Sequence, residues 1–282
     1  MKNKYYQLTI NEEFNAKDVR TLLRYYGLSK KSIYLIELNK GVLINYKPAT
    51  TFTILKLSDQ LMLDLTSINQ KAVTPVDEPI DIVYEDDALL VVNKQARLLV
   101  HSDGVEIDTL NNRVANYKNQ IENPYEILPC HRIDTDTTGM VVFGKNPLVV
   151  SYLSQLFENR QIKKTYHSIV NNEFDDLEGV IDLPLSGDRH SNKQVIASNG
   201  QYAYTTYKVL KNGERPLVEI SITGGRKHQI RAHMAYIGHG VVGDKIYSRD
   251  DSNIMYLHFS EAEFIHPTTL TMIKISCKPQ FL

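Results

Sequence analysis

The densest polar segment of the sequence is CHRIDTDTTG at residues 130–139, which precedes the apolar residues 140–143. Charged groups beside a buried strand lose contact with water and need partners that compensate for this loss. Asp134 and Asp136 are two residues apart, so their carboxylates share one face in a strand and diverge in a turn. Because the composition of DTDTTG also favours turns, Asp134 is a candidate either for a reactive carboxylate or for a turn cap.

A second segment, GGRKHQIRAHMAYIGH at residues 224–239, carries several cations at the predicted start of a helix. Cations at a helix N-terminus oppose the helix dipole unless an anion binds there, so the segment predicts a phosphate or a carboxylate as partner. His228 and His233 are five residues apart and do not share a helix face as zinc ligands at i and i+4 do. The spacing therefore predicts no metal site. The cations concerned are Arg226, Lys227, His228 and Arg231.

A third segment, RQIKKTYHSIV at residues 160–170, has the composition of a strand. In a strand, Lys164, Tyr166 and Ser168 share one face, and the residues between them share the other. Tyr166 is one of 17 tyrosines in the chain, and a half-buried strand position is the ordinary interpretation of such a residue.

Composition excludes several classes of protein. With 42% hydrophobic and 23% charged residues, the chain can bury a core, which excludes disorder as its dominant state. The two cysteines, Cys130 and Cys277, form no CxxC pattern, so neither a disulfide framework nor a structural zinc site is predicted. No apolar run reaches 18 residues and the N-terminus lacks a secretory signal, so we expect a cytoplasmic protein without a membrane partner.

Charge is distributed unevenly along the 282 residues, whose net charge is −1. Residues 1–70 contain 10 Lys and Arg against 6 Asp and Glu, whereas residues 71–282 contain 22 against 27. A basic block on an acidic body indicates a small polyanion-binding module, although scattered surface lysines would give the same balance. The polar residues 66–79 include two prolines and resemble a linker. We predict an N-terminal domain at 1–70, a linker at 71–79 and a second domain at 80–282.

Strands outnumber helices in the predicted order of elements, without a regular βαβ alternation. We therefore predict the α+β class, with a mainly antiparallel mixed sheet flanked by helices and a small α+β N-terminal domain. Neither GxGxxG nor GxxxxGK[ST] occurs, so no Rossmann or P-loop nucleotide site is indicated. Helices are predicted at residues 16–26, 29–38, after Asp108, at 147–160 and at 227–237; strands at 41–47, 51–57, 58–65, 80–94 (a hairpin), 140–146, 164–170, 202–210, 217–223 and 270–276.

HRIDTDTTG closely resembles the HRLDxxTSG motif of RNA pseudouridine synthases of the RluA/RluD type. Four further segments resemble that family's motifs in the same order along about 185 residues. Departures at Gln95, Arg97, Gly240 and Ser248 lie in predicted loops and affect loop shape rather than reactive positions. The four segments are IVYEDDALLVVNKQARLLVH, KKTYHSIV, GGRKHQIRAHMAYIGHGVVGDKIYS and YLHFSEAEFIHP.

The N-terminal block is similar to the S-four-like (alpha-L) RNA-binding module that is common in this family, in a degenerate form. Lys30, Lys31 and Ser32 stand where the module has Ser-Arg-Ser, and Tyr46 stands where it has Gly. The resemblance implies that Lys30 and Lys31 contact RNA.

The resemblance implies isomerisation of specific uridines to pseudouridine in structured RNA, with no cofactor and no metal. Asp134 would be the nucleophile or base, and Arg231 its salt-bridge partner, in a pair that can be bidentate. Tyr166 would stack on the flipped base and remove the proton that completes the reaction. Ile230 would pack on the other side of the base, and Arg132 would enter the RNA helix or hold a phosphate. Two further predicted substrate-binding residues are Arg226 and His228.

Two alternatives remain open at this stage. A glycosidase-like hydrolase would use Asp134 and Asp136 as a carboxylate pair, but the roughly 7 Å between alternate strand residues suits neither stereochemical course clearly. A non-catalytic RNA-binding protein would retain the fold and would be expected to lack one of Asp134, Tyr166 or Arg231. We expect ribosomal RNA of the large subunit or tRNA as the partner, no obligate protein partner, and a monomer.

Overall fold

The computed structural model describes residues 4–68, 71–248 and 250–282. The N-terminal part forms a four-stranded antiparallel sheet in the order β1-β4-β2-β3, with two helices packed on it. Its elements are β1 (Tyr5–Thr9), α1 (Val19–Tyr25), α2 (Lys30–Leu38), β2 (Val42–Ile44), β3 (Lys47–Pro48) and β4 (Gln60–Asp64).

The caps of the two N-terminal helices follow from their sequences. Ser29 accepts a hydrogen bond from the Ser32 amide and begins α2, as predicted, and Asp18 caps α1 in the same way. Strand β1 was not predicted, and residues 51–57 are not a strand, since only a single bridge joins Ile54 to Asp18. Phe52, Ile54 and Leu57 are exposed, so the apolar residues of segment 51–57 do not form one buried face.

The rest of the chain contains most of the strands and three helices. The elements are β5 (Ile82–Glu85), β6 (Leu89–Lys94), α3 (Leu110–Gln120), β7 (Leu128–Pro129), β8 (Thr138–Gly144), α4 (Pro147–Glu158), β9 (Lys163–Ile169), β10 (Glu178–Asp182), β11 (Leu185–Gly187), β12 (Gln194–Ile196), β13 (Tyr204–Lys211), β14 (Leu217–Thr223), α5 (Gln229–Tyr236), β15 (Leu257–Ile265) and β16 (Met272–Ser276).

Ten of these strands form one sheet in the order β10-β13-β14-β9-β15-β8-β6-β5, with β16 and β7 paired at its sides. Every pairing is antiparallel except β15 with β8. The α+β class with a mainly antiparallel mixed sheet is confirmed. The structure adds β15, which lies at the centre of the sheet but was not predicted as a strand, because Glu261 and Glu263 interrupt its apolar pattern.

Three helix starts differ from the prediction by one to three residues. Helix α1 begins at Val19 and not at residue 16. Thr109 rather than Asp108 caps α3, and Asp108 instead forms a salt bridge with Arg113. Helix α5 begins at Gln229, because His228 has a φ of 54° and lies in the left-handed region, outside helical geometry.

The N-terminal sheet and helices pack directly against the larger part of the chain. Tyr26 of α1 donates a hydrogen bond of 2.5 Å to the carbonyl of Pro267, and its ring lies 5.0 Å from that of Tyr152 on α4. The Tyr6 and Thr268 hydroxyls are 2.7 Å apart. One apolar core runs continuously through both parts. The domain bounds at residues 70 and 80 therefore stay a prediction.

Within the described residues, no helix is both long enough and apolar enough to cross a membrane.

Candidate active site

Asp134 lies in the turn that leads into β8, and not in a strand. The Thr137 amide donates a hydrogen bond of 3.1 Å to the Asp134 carbonyl, which closes the turn. The Asp134 side chain is 27% exposed, whereas Asp136 lies on the surface. The turn interpretation was therefore the right one for the backbone, and the two carboxylates differ in burial.

Arg231 approaches Asp134 from the first turn of α5. Its Nη1 donates a hydrogen bond of 3.1 Å to Oδ2 of Asp134. The bidentate pair that we expected between these residues is not formed, because two other donors of Arg231 are directed at Asp244. Nε and Nη2 lie 2.7 and 2.9 Å from the two oxygens of Asp244. The guanidinium thus bridges two carboxylates, with a fork on one and a single bond on the other.

Burial and charge act against each other in this bridge. Burial by itself would lower the pKa of Arg231, but the hydrogen bonds and charges of Asp244 and Asp134 raise it well above its ordinary value. Burial likewise opposes ionisation of Asp244, yet Arg231 keeps the pKa of that carboxyl below its usual range. One cation therefore faces two carboxylates, so the charge of Asp134 is only partly neutralised within the site.

The cations at the start of α5 lie next to carboxylates of the same chain. Arg231 pairs with Asp134 and Asp244, and Nε2 of His228 lies 3.9 Å from Oδ2 of Asp134. The predicted carboxylate partner is therefore present. The Nε of Arg226 instead donates a hydrogen bond of 3.2 Å to the carbonyl of Tyr202.

Tyr166 projects from β9 into the same region. Its ring stacks on Phe259 of β15, with 4.7 Å between ring centres and 16° between ring planes. The side chain is buried, and this burial, together with the charge of Asp134, raises the pKa of its hydroxyl above the ordinary value. The hydroxyl is therefore protonated at neutral pH.

The predicted side chains meet in one open pocket of about 70 Å³, several times the roughly 10–15 Å³ that one water molecule needs. A neighbouring groove of about 270 Å³ shares Arg132, Asp134, His228 and Arg231 with it. The pocket is lined by Asp134, Tyr166 and Arg231 together with Arg132, Arg226, His228 and Ile230. Lys30 and Lys31 are exposed at the start of α2 in the N-terminal part and do not line the pocket.

The buried side chain of Lys94 stabilises the turn that contains Asp134. Nζ of Lys94 donates hydrogen bonds of 2.8 Å to the carbonyls of Gln95, Leu98 and Thr135. Thr135 directly follows Asp134, so Lys94 joins the end of β6 to this turn. Burial lowers the pKa of Lys94 to about 7, although the charges of Asp136 and Asp134 oppose that shift.

In the described residues, no group of three His, Cys, Asp or Glu side chains is arranged to hold a metal ion.

The fold agrees with what comparison with known proteins shows. The chain belongs to the family of RNA pseudouridylate synthases, which residues 88–236 match. Residues 6–61 match the N-terminal domain of the RluD ribosomal pseudouridine synthase. The resemblance found in the motifs is confirmed, and the protein is an RNA pseudouridine synthase, an isomerase that acts on RNA.

Two curated relatives illustrate the similarity. An uncharacterized RNA pseudouridine synthase of Bacillus subtilis, YhcT, is 30% identical over 276 residues, which are 95% of this chain and 91% of the relative. The tRNA pseudouridine synthase C of Vibrio parahaemolyticus is 33% identical over 215 residues, with 67% of this chain and 86% of the relative covered.

Solved structures share the fold. Human RNA pseudouridylate synthase domain containing 1 superposes with a TM-score of 0.62 at 23% identity, covering 73% of this chain and 85% of the human one. Human RNA pseudouridylate synthase domain containing 4 has a TM-score of 0.60 at 25% identity, covering 71% and 89%.

Sequence reasoning missed three residues that support the pocket: Lys94, Asp244 and Tyr247. Each lies inside a segment that resembles a family motif, Lys94 in LLVVNK and the other two in GDKIYS. Their position in those motifs was the available signal. It said nothing about the contacts of Lys94 with Thr135, of Asp244 with Arg231 and of Tyr247 with His228, because these partners are 41, 13 and 19 residues apart.

Proposed function

We propose that this RNA pseudouridine synthase isomerises uridine at the pocket of Asp134, Tyr166 and Arg231. The observation that carries the proposal is the hydrogen bond from Arg231 to a partly exposed Asp134 at the edge of a pocket that Tyr166 lines. These residues come from three separate segments. The reaction requires a carboxylate, a cation that keeps it ionised, and an aromatic platform, and this pocket combines all three.

Asp134 acts first. Its carboxylate either attacks the anomeric carbon of the ribose or removes the neighbouring proton, and in both cases the bond between uracil N1 and the sugar breaks. The free base then turns and rejoins the sugar through C5. No atom is gained or lost overall, so the chemistry needs no oxidant or reductant. A single carboxylate is sufficient, which agrees with the exposed position of Asp136.

Arg231 places a positive charge beside Asp134 in surroundings that exclude part of the water. A carboxylate next to a base loses hydration, and a neighbouring cation compensates for this loss. Because Asp244 already binds two donors of the guanidinium, Nε and Nη2, the donor Nη1 is directed at Asp134 before substrate arrives. Arg231 therefore orients the carboxylate as well as balancing its charge.

Tyr166 stacks on the flipped uracil and takes part in the last proton transfer. Flipping a uridine out of its stack costs a few kcal/mol, and stacking on an aromatic ring recovers about 1–3 kcal/mol. Phe259 stacks on the Tyr166 ring and stiffens it. The hydroxyl accepts the proton that leaves C5 while it passes its own proton to solvent, since its raised pKa excludes a resting phenolate. N1, whose bond to the sugar has broken, takes a proton from solvent, so the number of protons in the product is unchanged. Ile230 packs against the base, and Arg132 contacts a phosphate beside it.

The RNA is large-subunit ribosomal RNA or tRNA. The names of relatives support both: the Borreliella burgdorferi relative is a ribosomal large subunit pseudouridine synthase D, and the Vibrio parahaemolyticus relative is a tRNA pseudouridine synthase. We place the enzyme in the cytoplasm as a monomer without an obligate protein partner. Its free, buried cysteines Cys130 and Cys277 fit a reducing compartment.

Release of tritium from RNA labelled at uracil C5 tests the proposal, because that hydrogen is lost whenever C5 bonds to the sugar. With no cofactor added, we expect turnover by the wild type, and below about 1% of that rate for Asp134→Asn with RNA affinity changed by only a few-fold. Asp136→Asn is the matched control and should keep its activity. Turnover by Asp134→Asn, or equal losses in the two variants, would overturn the assignment.

A further inference from the structure

Tyr247 contacts three residues of the candidate site, Arg231, Asp244 and His228. Its ring faces the guanidinium of Arg231 at 5.4 Å, and its amide donates a hydrogen bond of 3.1 Å to Asp244. Its hydroxyl lies 3.1 Å from Nδ1 of His228. The rings of His228 and Tyr247 are perpendicular, at 89°. Tyr247 itself does not line the pocket of Asp134, whereas His228 does.

The hydrogen bonds of the Tyr247 hydroxyl fix where its proton lies. The backbone amide of Gln194 on β12 approaches the oxygen at 2.6 Å, and an amide can only donate, so the oxygen accepts there. Among the described residues, the acceptor that the structure offers to the hydroxyl proton is Nδ1 of His228. Donation from the hydroxyl to Nδ1 uses its one proton and requires an unprotonated Nδ1.

This arrangement determines what His228 presents to the reaction. A neutral imidazole without a proton on Nδ1 carries it on Nε2, the nitrogen that lies 3.9 Å from Oδ2 of Asp134. The charged groups that face His228 are Asp134 from the turn, Arg231 and Lys227 from the start of α5, and Asp244 from the loop after it. Burial lowers the pKa of His228 and the two cations add to that effect, while the charges of Asp134 and Asp244 oppose it. The net pKa lies below its ordinary value, which favours the neutral form at pH 7.

We propose that Tyr247 is a positioning residue which acts through His228: its hydroxyl selects the imidazole tautomer whose Nε2–H faces Asp134. The opposite tautomer would turn a lone pair toward the carboxylate and repel it. With Nε2–H in place, Asp134 faces a neutral N–H dipole at 3.9 Å on one side and the Arg231 cation on the other. His228 is buried, which restricts the movement of its ring. The inference rests on the proposed role of Asp134.

The tautomer can be measured without relying on activity. In protein labelled with ¹⁵N-histidine, long-range proton–nitrogen spectra separate protonated from unprotonated ring nitrogens. The His228 signals are assigned by their disappearance in His228→Asn, a replacement that tolerates the left-handed backbone. We expect an unprotonated Nδ1 and a protonated Nε2 in the wild type, and a mixture of both tautomers in Tyr247→Phe. A protonated Nδ1 in the wild type, or no change in Tyr247→Phe, would overturn the inference.

Kinetics give the second readout. Tyr247→Phe keeps the ring on Arg231 and should lower kcat about tenfold while KM for RNA changes less than about threefold, because only the reacting carboxylate loses its donor. Tyr236→Phe, an exposed tyrosine at the end of α5, is the matched control and should match the wild type. Unchanged kcat in Tyr247→Phe, or an equal loss in the control, contradicts the inference. An active Asp134→Asn would instead remove the proposed function and leave the tautomer result standing.

Discussion

The guanidinium of Arg231 donates two hydrogen bonds to the carboxylate of Asp244, at 2.7 and 2.9 Å, inside the protein. The Asp244 side chain is fully buried, and its Oδ1 also accepts hydrogen bonds from the amides of Ile246 and Tyr247. Asp244 is therefore a fixed support. Its position sets the orientation of Arg231 independently of Asp134, the carboxylate assigned to the chemistry.

Replacing this support should damage stability and activity together. Asp244→Asn removes the negative charge that faces Arg231 and leaves the buried guanidinium without its main counter-charge. Removing one partner of a buried ion pair typically lowers the free energy of unfolding by about 3–5 kcal/mol. We expect a free energy of unfolding lower by an amount of this order in urea denaturation, and a kcat at least tenfold lower. Asp175→Asn, at an exposed position, is the control. A loss of stability below about 1 kcal/mol would show that Arg231 does not depend on Asp244.

Tyr166 allows the ring and the hydroxyl to be tested separately. Tyr166→Phe keeps the stack on Phe259 and should bind RNA like the wild type but turn over very slowly, because the proton acceptor is gone. Tyr166→Leu loses the platform too, and the 1–3 kcal/mol of stacking corresponds to about 5- to 150-fold weaker binding of the flipped base. Fluorescence of a base analogue at the target position reports flipping. Equal rates for Phe and wild type would leave Tyr166 a role in stacking alone.

The N-terminal part is predicted to supply phosphate contacts through Lys30 and Lys31. Each lost contact lowers the magnitude of the slope of log affinity against log salt by about 0.7–0.9. The double variant Lys30→Ala/Lys31→Ala should therefore flatten that slope by about 1.4–1.8. Activity at saturating RNA should survive, since neither lysine lines the pocket. The double variant Lys208→Ala/Lys211→Ala, on exposed positions of β13, is the matched control.

Deletion of residues 1–70 tests the role of the N-terminal part less directly than the lysine variant does. The deletion would uncover Tyr152 and remove the hydrogen bonds of Tyr26 and Tyr6 to residues 267 and 268. We expect a lower melting temperature as well as weaker RNA binding. An unchanged salt slope in the lysine variant, together with a large loss of melting temperature on deletion, would assign the N-terminal part a structural role.

His258 should make the fold sensitive to acid. It is buried between the Thr138 hydroxyl and the carbonyl of Cys277, and burial lowers its pKa to about 4 from an ordinary value of 6.5. Between these values the unfolded chain binds a proton that the folded protein excludes, so stability falls as pH decreases from about 6.5 to 4, by up to about 1.4 kcal/mol per pH unit.

Urea denaturation at several pH values measures this dependence. His258→Gln should be less stable at pH 7 but lose less stability on acidification, because the group that titrates is absent. His190→Gln, at an exposed site, should follow the wild type. Parallel curves for His258→Gln and wild type would assign the acid sensitivity to other groups.

Local sequence determined much of this protein by itself. Ser29 and Asn146 cap their helices because their side chains reach amides only three residues away, and Pro147 starts α4 for the same local reason. The resemblance of HRIDTDTTG and KKTYHSIV to family motifs led us to propose Asp134 and Tyr166 as site residues. The family and the α+β class followed from such local patterns.

Tertiary structure decided the rest, because the deciding contacts join residues that are distant along the chain. Arg231 and Asp134 are 97 residues apart. No spacing rule predicts that Asp244 accepts two of the hydrogen bonds of Arg231. The central strand β15 is recognisable only by its pairing with β8, β9 and β16, since packing in the sheet overrides its mixed composition. Likewise, the tautomer that we assign to His228 depends on the hydroxyl of Tyr247, 19 residues away, and on the amide of Gln194 in β12. Hydrogen bonds of this kind form only once the fold has excluded water and brought the donors and acceptors together.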